Sequence, residues 1–180
     1  MRPVLVALAL MPALLVAAAG RGQCDQAMTI DVGAYGGANV PVAQDDTETG
    51  ALFGFRGRLG FPYGTIEPSV NFLGHGDGSM DDVDGTEITF QAPEVWSMAI
   101  NYLVRTGPIY YTAGMGWSSV DIPGGVGESD EATFNFGIGA EFGVGPVSID
   151  VSPRSYIINT AGQGSRKDAA IMAGVNYRVF

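Results

Sequence analysis

The chain is 180 residues long, with 46% hydrophobic but only 16% charged residues, where an ordinary soluble domain carries about 25% charged. Gly and Pro fill 27 and 10 positions without a Gly-X-Y period, which argues against helix-rich and collagen-like folds. A formal charge of −10 with Lys167 as the sole lysine leaves no basic face for phosphates and sets nucleic-acid binding aside.

Arg2 precedes an uncharged apolar run, Val4 to Ala19, that closes on Ala17-Ala18-Ala19, the pattern of a secretory signal peptide and its cleavage site. Residues 1–19 are therefore read as signal and 20–180 as the mature domain. The run is interrupted by Pro12 and is shorter than the roughly 20 residues a spanning helix needs. Losing Arg2 takes the formal charge from −10 to −11. Cys24 is the only cysteine, so no intramolecular disulfide forms. The preceding Arg21-Gly22-Gln23 lacks the apolar and small residues that precede a lipidated cysteine, so Cys24 reads as a free thiol.

From Met28 onward the dominant period is two, the signature of strands. It places strands at 27–35, 50–61, 64–73, 90–105, 109–117, 132–144, 147–156 and 169–180. Two segments show it best. Between Ala51 and Phe61, Phe53, Phe55, Leu59 and Phe61 oppose Gly54, Arg56, Arg58 and Gly60. Between Thr133 and Val144, Phe134, Phe136, Ile138 and Phe142 oppose Asn135, Gly137, Gly139 and Glu141. Connections alternate in length: Pro62-Tyr63, Thr106-Gly107-Pro108 and Gly145-Pro146 are tight, while 36–49, 74–89, 118–131 and 157–168 are long. This predicts an all-β fold, one eight-stranded antiparallel up-and-down barrel of hairpins.

Alternation alone does not say which face meets water. The polar faces carry Gly and small residues punctuated by single charges, which suits a narrow interior. Strand parity puts Asp31, Arg56, Arg58, Glu67, Arg105, Glu141, Asp150, Arg154 and Arg178 there, and Glu94 is counted with them as the fifth acid, although it follows Pro93, a point where the register can slip. An eight-stranded interior is just wide enough for side chains to fill, and an unpaired ion inside costs several kcal/mol. These residues are thus expected to form an internal Arg/carboxylate network, with the apolar faces in lipid. The long loops are acidic and carry only Arg166 and Lys167 as cations. Phe61, Trp96, Tyr102, Tyr111, Trp117, Phe142 and Tyr177 fall near strand ends, where interfacial girdles place aromatic rings.

The C-terminal Gly174-Val175-Asn176-Tyr177-Arg178-Val179-Phe180 resembles the closing strand of bacterial outer-membrane β-barrels. The chain as a whole resembles the small OmpA-like and opacity-type eight-stranded barrels. The resemblance implies an outer-membrane location, short periplasmic turns and long extracellular loops. It also implies contact with lipopolysaccharide, and recognition of a terminal aromatic signal, Tyr177 and Phe180, by the assembly machinery. That family's usual ending has an aromatic third from the end, whereas here Arg178 is third and Tyr177 fourth; a β-bulge at the terminus reconciles the two.

The chemistry-bearing candidates are few. His75 is the only histidine, so a lipid A-modifying mechanism, as some outer-membrane barrels use, would need it together with Asp77 and Ser79. A Gly-rich loop gives such a triad no rigid platform. Asp77, Asp81, Asp82, Asp84 and Glu87 crowd one loop, but Asp82 and Ile88 stand where an EF-hand needs its turn Gly and bidentate Glu. Weak bridging by divalent cations between the loops and anionic glycolipid is the expectation. No catalytic residue, cofactor or dedicated metal site is assigned. The expected role is structural or surface-interaction, at loops that meet cations, glycolipid, or host and matrix surfaces. A lipid-modifying enzyme and a soluble periplasmic lipocalin-like or β-sandwich binder stand as alternatives.

Overall fold

The computed structural model describes residues 28–42, 48–76, 78–81, 84, 87–90, 94–121, 128–160 and 164–180. The proposed signal and Cys24 lie outside them. Ten strands follow in chain order: β1 (Thr29–Val42), β2 (Gly50–Phe61), β3 (Gly64–Leu73), β4 (Gly78–Asp81), β5 (Glu87–Phe90), β6 (Glu94–Thr106), β7 (Ile109–Asp121), β8 (Glu128–Val144), β9 (Val147–Thr160) and β10 (Gly164–Arg178). Eight of them close into an antiparallel barrel in which chain neighbours pair and β1 seals against β10. The other two, β4 and β5, form a separate hairpin in the connection between β3 and β6.

The tight turns are two-residue hairpins. Gly107 and Gly145, each followed by Pro, both take a φ of 63°, as the first central position of a type II′ turn requires. Each strand step around the wall is staggered. Hydrogen-bonded partners lead from Ile30 through Leu59, Ile66, Tyr102, Ala113, Phe136, Ser155 and Ala169 back to β1 at Val40, ten residues beyond the start (40 − 30). A stagger of this size inclines the strands steeply to the barrel axis, as closed membrane barrels require.

The two faces of the wall are chemically opposite. Phe55, Ile100, Met115, Phe136, Ile149, Ile171 and Val175 project outward and are exposed, while Arg58, Glu67, Asn101, Asp150, Arg154 and Asn176 on the other parity are buried. A polar inside and an apolar outside invert the soluble-protein arrangement and match a wall solvated by hydrocarbon. All seven residues expected in aromatic girdles are outward and exposed.

Several strands run further toward the long-loop end than the period of two indicates. β1 continues to Val42, β7 to Asp121 and β9 to Thr160, and β8 and β10 begin at Glu128 and Gly164. These extensions hold Gly36-Gly37-Ala38 and Ser118-Ser119, where side-chain contrast is too small to show a face although the hydrogen-bond ladder goes on. Glu94 also differs from expectation. β6 keeps one register from Glu94 to Thr106 without a slip, so the fully buried Val95 takes the inward place and Glu94 faces out.

Phe136 is 53% exposed midway along β8. Replacing it with Arg should therefore cost about 2–4 kcal/mol near the bilayer midplane, measured as a drop in urea stability of the barrel folded into lipid vesicles. A tolerated Arg would reverse the assignment of the two faces.

Candidate functional site

Outward residues meet lipid, so the chemistry of the barrel is concentrated in its lumen. Arg58 of β2 stands four residues from the Pro62-Tyr63 turn and Glu67 of β3 four residues beyond it, so the hairpin itself brings them together. Arg58 Nε donates to Glu67 Oε2 at 2.7 Å, Nη2 to Asp150 Oδ2 at 2.8 Å, and Nη1 to Glu141 Oε2 at 3.1 Å. One guanidinium thus joins β2 to β3, β8 and β9, using the fan of donors that distinguishes Arg from Lys. Its planar group also lies 5.4 Å from the centre of the Tyr110 ring.

The remaining charges complete the network. Arg154 Nη2 donates to Glu67 Oε1 at 2.7 Å, and Arg56 Nη2 to Asp150 Oδ1 at 2.5 Å. Arg56 Nε donates to Asn176 Oδ1 at 2.8 Å, and Asn101 Nδ2 reaches Glu67 Oε1 at 3.3 Å. Arg105 Nη1 lies 2.5 Å from Glu141 Oε2, and Arg178 Nε lies 3.1 Å from Asp31 Oδ1. These last two arginines sit at the short-turn rim with side chains 37% and 57% exposed. Of the nine residues assigned to the interior by parity, seven form one connected network, and Asp31 with Arg178 forms a separate pair at the rim.

Three buried tyrosines belong to the same lumen and were not singled out from sequence. Tyr110 donates to Asp150 Oδ2 at 2.7 Å, Tyr35 donates to Asn71, and Tyr156 is fully buried beside Met172. Their parity was readable: Tyr35 is four residues from Asp31 and Tyr156 two from Arg154. Glycines opposite them make the room. A Cβ at Gly139 would strike the Tyr110 ring, and one at Gly54 the Tyr35 ring. The Gly content of the chain here serves close packing around aromatic groups.

Above this layer, toward the long loops, the lumen is filled by Leu52, Leu73, Val95, Val120, Ile158, Ala170 and Met172. His75 and Asp168, placed in loops by sequence, cap that apolar layer. Their side chains are fully buried, with His75 Nε2 3.3 Å from Asp168 Oδ1 and 2.7 Å from Asn39 Nδ2. Arg166 Nε lies 3.4 Å from Asp168 Oδ2. Asp77, Asp82 and the side chains of Ser79, Asp81 and Glu87 lie outside the described residues, and Asp84 is exposed. Among the described residues, six arginines and six carboxylates face the lumen once Arg166, Asp168 and the buried Glu131 join the nine.

At the C-terminus the expected bulge is present. Ile30 O accepts from both Val179 N at 2.8 Å and Phe180 N at 3.3 Å, while Ile30 N donates to Phe180 O at 2.8 Å. Two residues therefore oppose one, and Tyr177, Val179 and Phe180 are all exposed.

A closed eight-stranded antiparallel barrel, apolar outside and ion-paired within, defines an integral outer-membrane β-barrel protein. The chain matches the outer membrane protein beta-barrel domain family over residues 5–178 and belongs to it. Among solved structures, neisserial surface protein A aligns with a TM-score of 0.62 at 13% identity, covering 82% of this chain and 96% of that one. The N-terminal β-barrel domain of Pseudomonas aeruginosa OprF aligns at 0.47 and 16% identity, covering 85% and 100%. The attachment invasion locus protein of Yersinia pestis aligns at 0.44 and 15%, covering 84% and 97%. No curated protein sequence matches.

Replacing Arg58 with Leu removes three contacts at once and leaves buried carboxylates without their partner. The expected loss is about 3–5 kcal/mol, read as a lowered urea midpoint. The rim variant Arg178→Leu should cost no more than about 1 kcal/mol, because its partner shares solvent.

Proposed function

We propose that this protein is a non-enzymatic outer-membrane platform that presents acidic loop segments at the cell surface. The observation that carries this reading is the filled lumen: an Arg/carboxylate network at the short-turn half and an apolar layer above it leave the barrel a packed strut. Water-filled channels belong to much wider barrels. The connections at 43–49, 74–93, 122–127 and 161–163 all emerge from the end opposite the two-residue turns, and Asp45, Asp46, Glu48, Asp77, Asp82 and Asp84 fall in them. Residues 1–19 act as the export signal and 20–180 form the mature protein. Tyr177 and Phe180 form the mark read by the assembly machinery. The loops meet divalent cations, lipopolysaccharide, and host or matrix surfaces.

His75 is assigned a structural role. Its imidazole is fully buried within the cap it forms with Asn39 and Asp168, where an acyl chain of lipid A has no access. Two measurements test the platform. Purified barrel in planar bilayers should give no stepwise conductance, and sustained channels would overturn the closed-strut reading. Cells carrying His75→Ala should show an unchanged lipid A profile. Loss of a modified lipid species in that strain would make the protein an enzyme.

A further inference from the structure

The outer wall is not uniformly smooth. A groove of about 280 Å³ opens on it near the long-loop end, lined by Val70, Trp96, Met98, Trp117, Ser119 and Asp130. Strand pairing fixes how these residues are arranged. Trp96, Ser119 and Asp130 are direct partners in one row across β6, β7 and β8, and Val70, Met98 and Trp117 form the next row toward the middle of the barrel. The groove is therefore apolar on its membrane side and polar on its loop side. One wall is held in place, since the Trp96 ring meets Phe72 at 5.0 Å edge-on and Phe72 stacks on Phe53 at 4.8 Å. The other wall, Trp117, is 67% exposed.

This groove is continuous with the lipid-facing surface, so its occupant in the membrane is a lipid. We propose that it binds one acyl chain of an outer-leaflet glycolipid, with the chain between the two indoles and sugar hydroxyls hydrogen-bonded to the Asp130 carboxylate and the Ser119 hydroxyl. The depth matches, because Trp rings on a barrel mark the boundary between hydrocarbon and headgroups. The sign of the charge selects the headgroup. Asp130 is exposed at the mouth, and Glu94 stands on the same outward face two residues above Trp96. The Asp130 carboxylate in the lining, with Glu94 beside it and no cation among the lining residues, repels a bare phosphate and accepts from hydroxyl donors.

The only two tryptophans in the chain line this groove, so intrinsic fluorescence reads its occupancy directly. The barrel would be reconstituted in phosphatidylcholine vesicles carrying equal mole fractions of one lipid brominated on its acyl chains: glucosyl diacylglycerol, phosphatidylglycerol or phosphatidylcholine. The brominated glycolipid should quench as though enriched about 2- to 10-fold at the groove over phosphatidylcholine, the range of one net hydrogen bond. Asp130→Asn with Ser119→Ala should bring that ratio to about one while the barrel still migrates as folded on unheated SDS gels. Equal quenching by glycolipid and phosphatidylcholine in the unmodified protein would overturn the proposal. So would a preference for phosphatidylglycerol, or a glycolipid preference that survives the double substitution.

Discussion

Everything in the lumen is organised around Glu67, a carboxylate with no exposure inside a barrel too narrow to hydrate it. Burying such a group costs several kcal/mol unless opposite charges and donors surround it. Here Arg58 and Arg154 each bond one of its oxygens, Asn101 adds a donor, and Arg56 Nη1 stands 3.9 Å away. These partners come from β2, β6 and β9, on different parts of the wall. Satisfying one side chain therefore ties the barrel together across its lumen. A one-residue slip in any of those strands would turn its charged or amide partner into lipid, so the network specifies register as well as closure.

From that centre the interior follows as layers. The charged network occupies the half nearest the tight turns, where the hairpins place Arg58 beside Glu67 and bring Glu141 near Asp150. Tyr35 and Tyr156 come next, each offering an apolar ring and a hydroxyl, and so bridge ions to the aliphatic layer, while Tyr110 at the start of β7 packs among the ions themselves. His75, Asp168 and Arg166 close the top. Six arginines facing six carboxylates among the described residues leave no formal excess in the lumen. The acidity of the chain is consequently displaced to its loops, where water and counterions screen it.

Legibility in the sequence depended on what lay outside each strand. Where the outer face meets hydrocarbon, as at Phe53, Phe55, Phe134 and Phe136, apolar residues on one parity make the inward charges on the other plain, and the ion-paired residues could be named. Nearer the long loops the requirement for an apolar outer face fades. Gly36, Ala38 and Ser119 then carry no contrast, and β1, β7 and β9 run past their predicted ends. Asp168 and Glu131 fall in the predicted loops for that reason. Tyr110 illustrates a different ambiguity: beside the outward Tyr111, two adjacent aromatics leave parity to be decided by their neighbours. Glu94 failed because no charge partner marks its strand end, whereas Val95 alone would have set the face. Which residues pair across the lumen, such as Arg154 with Glu67, depends on closure of the barrel and is not written in any local pattern.

The same division of labour locates where binding can occur. Among the described residues, the luminal charges face one another and the upper layer is aliphatic, so the interior is a packed core. For the proposed platform, the surfaces that remain are the outer wall and the loops. The wall is mostly featureless, since a lipid-facing surface needs only to be apolar; a groove with a rigid aromatic side and a carboxylate at headgroup depth exceeds that need. Asp130 is the informative residue. On a soluble protein an exposed Asp asks for no explanation, but here it shares an outward row with Trp96 at the edge of hydrocarbon, where a charge is tolerated only if something polar reaches it. Water meets that demand at the loops above, and a headgroup meets it when the acyl chain below fills the groove.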